Sequence, residues 1–178
     1  MWHGLNDLAE VALSRGVEVD AEDGDGWTAL RYMAARGRPD AMSFLISKGA
    51  DVNRRDSLND TPIKAVITDA RLYCDGKKGG IPVLTAQERL EKVLPVLLEN
   101  GAEFNAQGQV GYTALHTAVL LGAPKIVQLL KDRGADLQIQ DARGDTPRDL
   151  ARRIVEETED GGGPWARMIL DMLSDGDD

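Results

Sequence analysis

Gly111-Tyr112-Thr113-Ala114-Leu115-His116 is one of four versions of a single phrase. The others are Gly26-Trp27-Thr28-Ala29-Leu30-Arg31, Asn59-Asp60-Thr61-Pro62-Ile63-Lys64 and Gly144-Asp145-Thr146-Pro147-Arg148-Asp149. Thr28 and Thr61 stand 33 residues apart, and so do Thr113 and Thr146. Thr61 and Thr113 are separated by 52, one period plus an insertion of 19. A second phrase keeps the same intervals: Gly16-Val17-Glu18-Val19-Asp20, Gly49-Ala50-Asp51-Val52-Asn53, Gly101-Ala102-Glu103-Phe104-Asn105 and Gly134-Ala135-Asp136-Leu137-Gln138. A fixed period of this length marks a protein built from stacked repeats.

Each residue type in the phrases has a local reason. The four threonines stand where a helix begins, and their hydroxyls can accept from first-turn backbone N–H groups that lack a helical partner. Pro62 and Pro147 follow directly, at the helical position that favours proline. Gly or Asn two residues before each Thr fits a tight turn. A first helix is expected to end near Gly37 or Gly122. A second carries Phe44-Leu45-Ile46, the apolar run 94–98, or the run 126–130, and stops at Gly49, Gly101 or Gly134.

This unit of turn, helix and antiparallel helix resembles the ankyrin repeat over nearly the whole chain. The match is densest at Gly111-Tyr112-Thr113-Ala114-Leu115-His116-Thr117-Ala118, with Ile126-Val127-Gln128-Leu129-Leu130 and Gly134-Ala135-Asp136. Arg31, Lys64 and Asp149 depart from the histidine usual at that place, and Gly108 from the usual Asp before the third turn. The resemblance implies an all-α solenoid that binds proteins without catalysis. His116 takes the position where the family's imidazole ties neighbouring turns together.

The period divides residues 1–178 as one domain: an N-terminal cap over 1–22, repeats over 23–55, 56–106 and 107–140, and a C-terminal capping repeat over 141–178. The insertion falls near 71–89. Thr85-Ala86-Gln87-Glu88 is a capping-box pattern, so the helix before Gly101 should start near Ala86, run longer than its counterparts and contain Pro95, where a kink is expected. The stretch 73–84 reads as a projecting loop. An extended first helix is expected from Thr146 to Glu157, and the run 156–163 reads as a flexible acidic loop, leading into a closing helix in which Trp165, Met168, Ile169 and Met172 cover the last repeat. Residues 175–178 are expected to fray.

Aromatics are only 4% of the chain against 42% hydrophobic residues, so Ala and Leu must build the core. The formal charge of -9 opposes nonspecific nucleic-acid binding, which needs cations facing phosphate, and favours a basic protein partner. One cysteine, Cys74, excludes an internal disulfide. No secretory pattern opens the sequence and no run is long enough to span a bilayer, so a cytoplasmic monomer without membrane contact is expected.

Catalytic chemistry finds little support. His3 and His116 lack a nucleophile at a recognised spacing, and Cys74 reads as a plain thiol. Asp20, Glu22, Asp23 and Asp25 fail the calcium-loop pattern and read as a solvated acidic turn. Gly76-Lys77-Lys78-Gly79-Gly80 lacks the phosphate-loop spacing. No cofactor or metal is expected. There remains the groove of turn tips and first helices. Its expected protein-binding residues are Trp27, Tyr32, Arg36, Asp25, Asp60, Asp69, Tyr112, Leu120, Leu121 and Asp145, with Thr68 and Arg153 beside them. Aromatic and apolar members would serve as anchors and the acids as a rim. The expected function is an acidic inhibitor or adaptor, of which a toxin-neutralising immunity protein is one form. The alternatives are a scaffold using groove and loop together, or an enzyme or receptor using Cys74 and His3.

Overall fold

The computed structural model describes residues 3–73, 86–158 and 162–174, with the side chains of 3–8, 70–73 and 86–87 left aside. All regular elements among the described residues are helices: α1 (His3–Ser14), α2 (Ala29–Ala35), α3 (Pro39–Ser47), α4 (Pro62–Tyr73), α5 (Ala86–Glu99), α6 (Ala114–Leu121), α7 (Pro124–Asp132), α8 (Pro147–Glu157) and α9 (Gly163–Met172). Helices α2 and α3, α4 and α5, α6 and α7, and α8 and α9 pack as pairs. Their first members stack in the order α2, α4, α6, α8, while α1 lies against α3, α3 against α5, and α7 against α9. The architecture is an all-α solenoid.

The repeated positions explain the stacking. Leu30, Ile63, Leu115 and Leu150 are all buried; the first three stand two residues after their Thr and Leu150 four residues after Thr146. So are Leu45, Leu97 and Leu130, each four residues before a helix-ending glycine. Burying one such side chain is worth about 1.5–3 kcal/mol. These residues join one continuous hydrophobic cluster running from Leu30 to Leu173. No single helix pair could enclose that surface alone, which is why neighbouring repeats stabilise each other.

A polar ladder fixes the spacing along one edge. The Asp51 backbone N–H donates to Asp20 at 3.0 Å, Glu103 N–H to Asn53 Oδ1 at 2.8 Å, and Asp136 N–H to Asn105 Oδ1 at 3.0 Å. The last residue of the second phrase therefore accepts from the next copy of that phrase. Thr28, Thr113 and Thr146 accept from the backbone three residues on, as helix caps. Thr61 does not: its hydroxyl is buried without a hydrogen-bond partner.

Helix α5 begins at Ala86, contains Pro95 and has 14 residues against 9 in α3 and in α7. Helix α4 runs on to Tyr73, so that residue closes a helix rather than opening a loop. The expected loop from 74 onward, including Cys74, lies outside the described residues, as do the expected frayed residues 175–178. The expected extended helix from Thr146 to Glu157 is present as α8. Of the expected acidic loop, residues 159–161 lie outside the described residues, and Gly162 is a buried corner against Ile154 and Ala166. One further reading is corrected. In α9, Ile169 is buried and Trp165 half-buried, but Met168 is 52% exposed, because it lies on the outer side of a helix whose inner side meets α7 and α8.

Trp165 rests on Gly122, the left-handed residue that ends α6. A Cβ there would stand 2.7 Å from the indole ring, whereas a Cβ at Gly134, also left-handed, would meet nothing within 4 Å. Gly134→Ala should cost only the backbone strain, about 1–2 kcal/mol. Gly122→Ala should cost that plus displacement of the indole, about 1–3 kcal/mol more. Urea unfolding of both variants measures the difference.

Candidate functional site

Four turns precede the first helices, each closed by a backbone hydrogen bond across four residues: Asp23 to Trp27, Asp56 to Asp60, Gly108 to Tyr112 and Asp141 to Asp145. In three of them the opening Asp folds its carboxylate over its own turn. Asp23 Oδ1 accepts from the N–H groups of Asp25 and Trp27, both at 2.9 Å. Asp56 does the same for Leu58 and Asp60, and Asp141 for Arg143 and Asp145. Asn59 takes the positive φ of 58° that glycine supplies in the other three turns.

The first turn gathers four groups. The rings of Trp27 and Tyr32 lie 5.0 Å apart and tilted by 59°. The Tyr32 hydroxyl donates to Asp23 Oδ2 at 2.6 Å. That bond, then the Trp27 N–H, holds the Asp23 carboxyl below its usual range, so it stays ionised. The same bond raises the Tyr32 hydroxyl and keeps it a donor. Asp25 and Asp23 are exposed, while Trp27 and Tyr32 are half-buried. The Arg31 guanidinium covers one face of the indole at 4.0 Å.

The position three after each Thr has four different occupants with four different jobs. Arg31 crosses to the next repeat, pairing through Nε with Asp56 at 3.2 Å and through a terminal nitrogen with Asp69 at 3.0 Å. Burial raises the Asp69 carboxyl despite Arg31 beside it. Lys64 pairs within its own repeat with Asp60, and both are buried. Gly108 accommodates that pair, since a Cβ there would stand 2.7 Å from Lys64 Nζ. His116 binds forward, Nε2 to the Asp145 carbonyl at 3.1 Å, while Nδ1 accepts from the Thr113 N–H at 3.3 Å. Asp149 completes a capping box with Thr146, and the Thr146 hydroxyl bond holds its carboxyl low.

These contacts redraw the expected groove. Asp60 and Asp69 are not rim charges: Lys64 and Arg31 take them into the interior, because an unpaired buried cation would be costly there. Leu120 and Leu121 are half-buried and pack on the core in the last turn of α6 rather than standing free as anchors. Tyr112 is half-buried and lies nearly parallel to the His116 ring, 5.6 Å away. Asp145 pairs with Arg153. Thr68 donates to the Lys64 carbonyl. Arg36, after the end of α2, is exposed. Thus Trp27, Tyr32 and Asp25 come together, joined by Asp23, which the sequence alone did not assign to the site.

Two exposed apolar side chains also carried no sequence signal. Leu58 is 56% and Val110 52% exposed, each two residues into its turn, in register with Asp25 and Arg143. The register is visible in the repeat, but a single Leu or Val near a turn says nothing until its exposure is known. Adjacent tips touch: a Cβ on Gly26 would lie 2.9 Å from Ser57 N, and Ala142 N–H donates to the Val110 carbonyl at 3.1 Å. Among the described residues, no group of three His, Cys, Asp or Glu side chains is placed to hold a metal ion, and no helix is long and apolar enough to cross a membrane.

Stacked helix pairs joined by capped turns define a repeat protein of the helical solenoid class. Comparison with known families specifies it. Residues 25–57 match the ankyrin repeat model, and residues 97–151 match the model for ankyrin repeats in many copies. Putative ankyrin repeat protein YahD of Escherichia coli (strain K12) is 30% identical over 166 residues, covering 82% of this chain and 83% of that protein. The chain belongs to the ankyrin repeat family. Human ankyrin repeat and SOCS box protein 6 is 31% identical over 175 residues, and human Rabankyrin-5 is 31% identical over 158. Those alignments cover 93% and 88% of this chain but only 37% and 13% of the relatives' own lengths. Ankyrin repeats are protein-interaction modules, and this chain carries that module.

The buried polar links set two measurable outcomes. Arg31→Met should leave Asp56 and Asp69 without their cation and cost about 3–5 kcal/mol at neutral pH in chemical denaturation. His116 is held below its usual pKa chiefly by burial. Its unfolded form takes a proton near about pH 6.5 while the folded form resists it. The unfolded state then binds more protons, so stability should be full above that pH and fall as the pH drops towards the lowered value. His116→Gln should flatten the dependence of unfolding free energy on pH between about 5 and 7.

Proposed function

We propose that the chain binds a basic segment of a partner protein at its first turn and first helix, without catalysis. The observation that carries this reading is the Trp27–Tyr32–Asp23–Asp25 cluster. Its aromatic surface is partly open, one carboxylate is held ionised by a tyrosine hydroxyl, and a second is exposed at the tip. A lysine or arginine side chain finds there both aromatic surface and negative charge. The overall charge of -9 adds long-range attraction for such a partner. Exposed Leu58 and Val110 on the following tips extend the contact with apolar surface.

The role that fits is occlusion of a basic surface, as an inhibitor or adaptor working inside the cell. Neutralisation of a toxin is one form of it. Asp60 and Asp69 have no part in the contact, since both are committed to buried ion pairs.

The test begins with the purified partner and measures both rate constants. Asp25→Asn should slow association severalfold at low salt, with the difference shrinking as salt is raised. Trp27→Ala should act on dissociation and weaken binding by about 2 kcal/mol. Tyr112→Ala, at the corresponding place in the third turn, should have little effect. Unchanged rates for Asp25→Asn and Trp27→Ala, with folding confirmed by melting, would place the contact on another surface.

A further inference from the structure

Asp25, Leu58, Val110 and Arg143 hold the same place in the four successive turns, and all four are exposed. The N–H groups of Asp25, Leu58 and Arg143 each donate to the Asp that opens the turn, so these tips are held from inside. Neighbouring turns are also locked to one another. Gly26 lies against Ser57, one Arg55 nitrogen donates to the carbonyls of Asn59 and Gln107, and the Ala142 N–H donates to the Val110 carbonyl. First helices packed side by side stand about 8–10 Å apart, and turns in contact repeat at that interval. The result is a fixed row of four side chains, in order acidic, apolar, apolar and basic. Among the described residues neither Asp25 nor Arg143 forms an ion pair, so both end charges face solvent.

A partner that meets all four tips must present one side chain per repeat on one side of its own chain. An extended strand does not, because three residues on, about 10 Å away, its side chain points to the opposite side. An α-helix matches only with every seventh residue, and its face drifts by about 20° per heptad. A polyproline II helix has three residues per turn and rises about 3.1 Å per residue, so every third side chain returns to the same side after about 9.3 Å. We infer that the row binds a proline-rich segment of a partner protein in polyproline II form. That segment carries Lys or Arg at the first tip, apolar residues at the second and third, and Asp or Glu at the fourth, each three residues from the next. Its end charges complement those of the row. The paired rings of Trp27 and Tyr32 beside the first tip supply the aromatic surface on which such segments dock. Little chain entropy is lost, because the segment is stiff before it binds. The inference rests on the reading of the first turn as a site for a basic segment, and adds the partner's backbone form, its register and its acidic far end.

Two capped peptides serve as probes: Lys-Pro-Pro-Leu-Pro-Pro-Val-Pro-Pro-Glu, and the same sequence with Lys and Glu exchanged, so that both chain directions are covered. The preferred one should bind the parent at least about tenfold more tightly than a version with one extra proline in each gap, which moves three anchors off the row. Backbone amide resonances of Asp25, Leu58, Val110 and Arg143 should all shift as it binds. In the variant Asp25→Arg with Arg143→Asp, both changes at exposed tips, the preference between the two probes should reverse. Equal binding of the preferred and the widened peptide overturns the inference, and so does an unchanged preference in the folded charge-exchanged variant. A flexible peptide of three Gly-Ser-Lys units separates this failure from failure of the first-turn reading. Where it binds the parent and is weakened severalfold by Asp25→Asn and by Trp27→Ala, while neither proline peptide binds, the basic-segment reading stands and the inference falls. Where it too fails to bind, both fall.

Discussion

Everything in this solenoid depends on how one turn is held to the next, and the decisive position is the third residue after each capping threonine. In a stack of short helices the apolar surface supplies most of the stabilisation, but it is indifferent to sliding. Directional contacts must fix the offset. Arg31 does so with two ion pairs to the following repeat, and His116 with one hydrogen bond to the following turn. Lys64 makes no ion pair with the following repeat, although its ammonium lies beside Gly108 there. Its ammonium turns back to Asp60, and the third turn has glycine at 108 where an aspartate would otherwise stand. The two changes form a matched set, because a side chain at 108 would occupy the space of the Lys64–Asp60 pair. That junction also adjoins the insertion, so the largest departure in length coincides with the departure in turn chemistry.

The internal use of charge changes how the acidity of the chain should be understood. A net charge of -9 suggests a broad negative surface, yet Asp56, Asp60, Asp69 and Asp141 are buried. Asp56, Asp60 and Asp69 face Arg31 or Lys64. Asp141 turns inward to cap backbone N–H groups. Such groups contribute to fold specificity and little to a partner's first encounter. The acids that remain exposed near the first turn, Glu18, Glu22, Asp23 and Asp25, are a smaller and more localised set. Glu22 is tied to Arg54 and Asp23 to Tyr32, which leaves Asp25, at the tip itself, as the acid best placed to meet a cation. Exposed acids also lie further along the stack, Glu103 and Asp136 among them, but of the four turn tips only the first carries one.

The repeat period made the fold legible from sequence, because capping threonines, helix-ending glycines and buried leucines recur at fixed offsets. The start of α5 at Ala86 was readable for the same reason: a capping box has a short-range mechanism. The site was less legible. Asp60 and Asp145 occupy the same place in their repeats, and nothing local distinguishes a buried ion pair from a half-exposed one. The difference lies in Lys64 beside the first and Arg153 near the second. Exposure at Leu58 and Val110 likewise comes from the stacking of tips, not from any motif. Asp23 is exposed in the acidic turn where the sequence puts it, but its link to the aromatic pair was not legible, for a related reason. Its role comes from the Tyr32 hydroxyl nine residues away, a contact that exists only once the turn closes.

The residue directly before each threonine makes a contact within the fold in every repeat, though Trp27 stays half-exposed. Trp27 carries Arg31, Asp60 holds Lys64, Tyr112 lies on His116, and Asp145 meets Arg153. Only at the first turn is that residue a large aromatic with no earlier turn described beside it. Outward chemistry in the other turns must then come from the tip residue itself, and the tips read Asp25, Leu58, Val110 and Arg143 in order along the stack. The edge changes from acidic to apolar to basic. A cationic segment is therefore attracted to one end of the row and repelled from the other. For the proposed basic partner, a direction of binding follows from that order, even though the four turns share one backbone design.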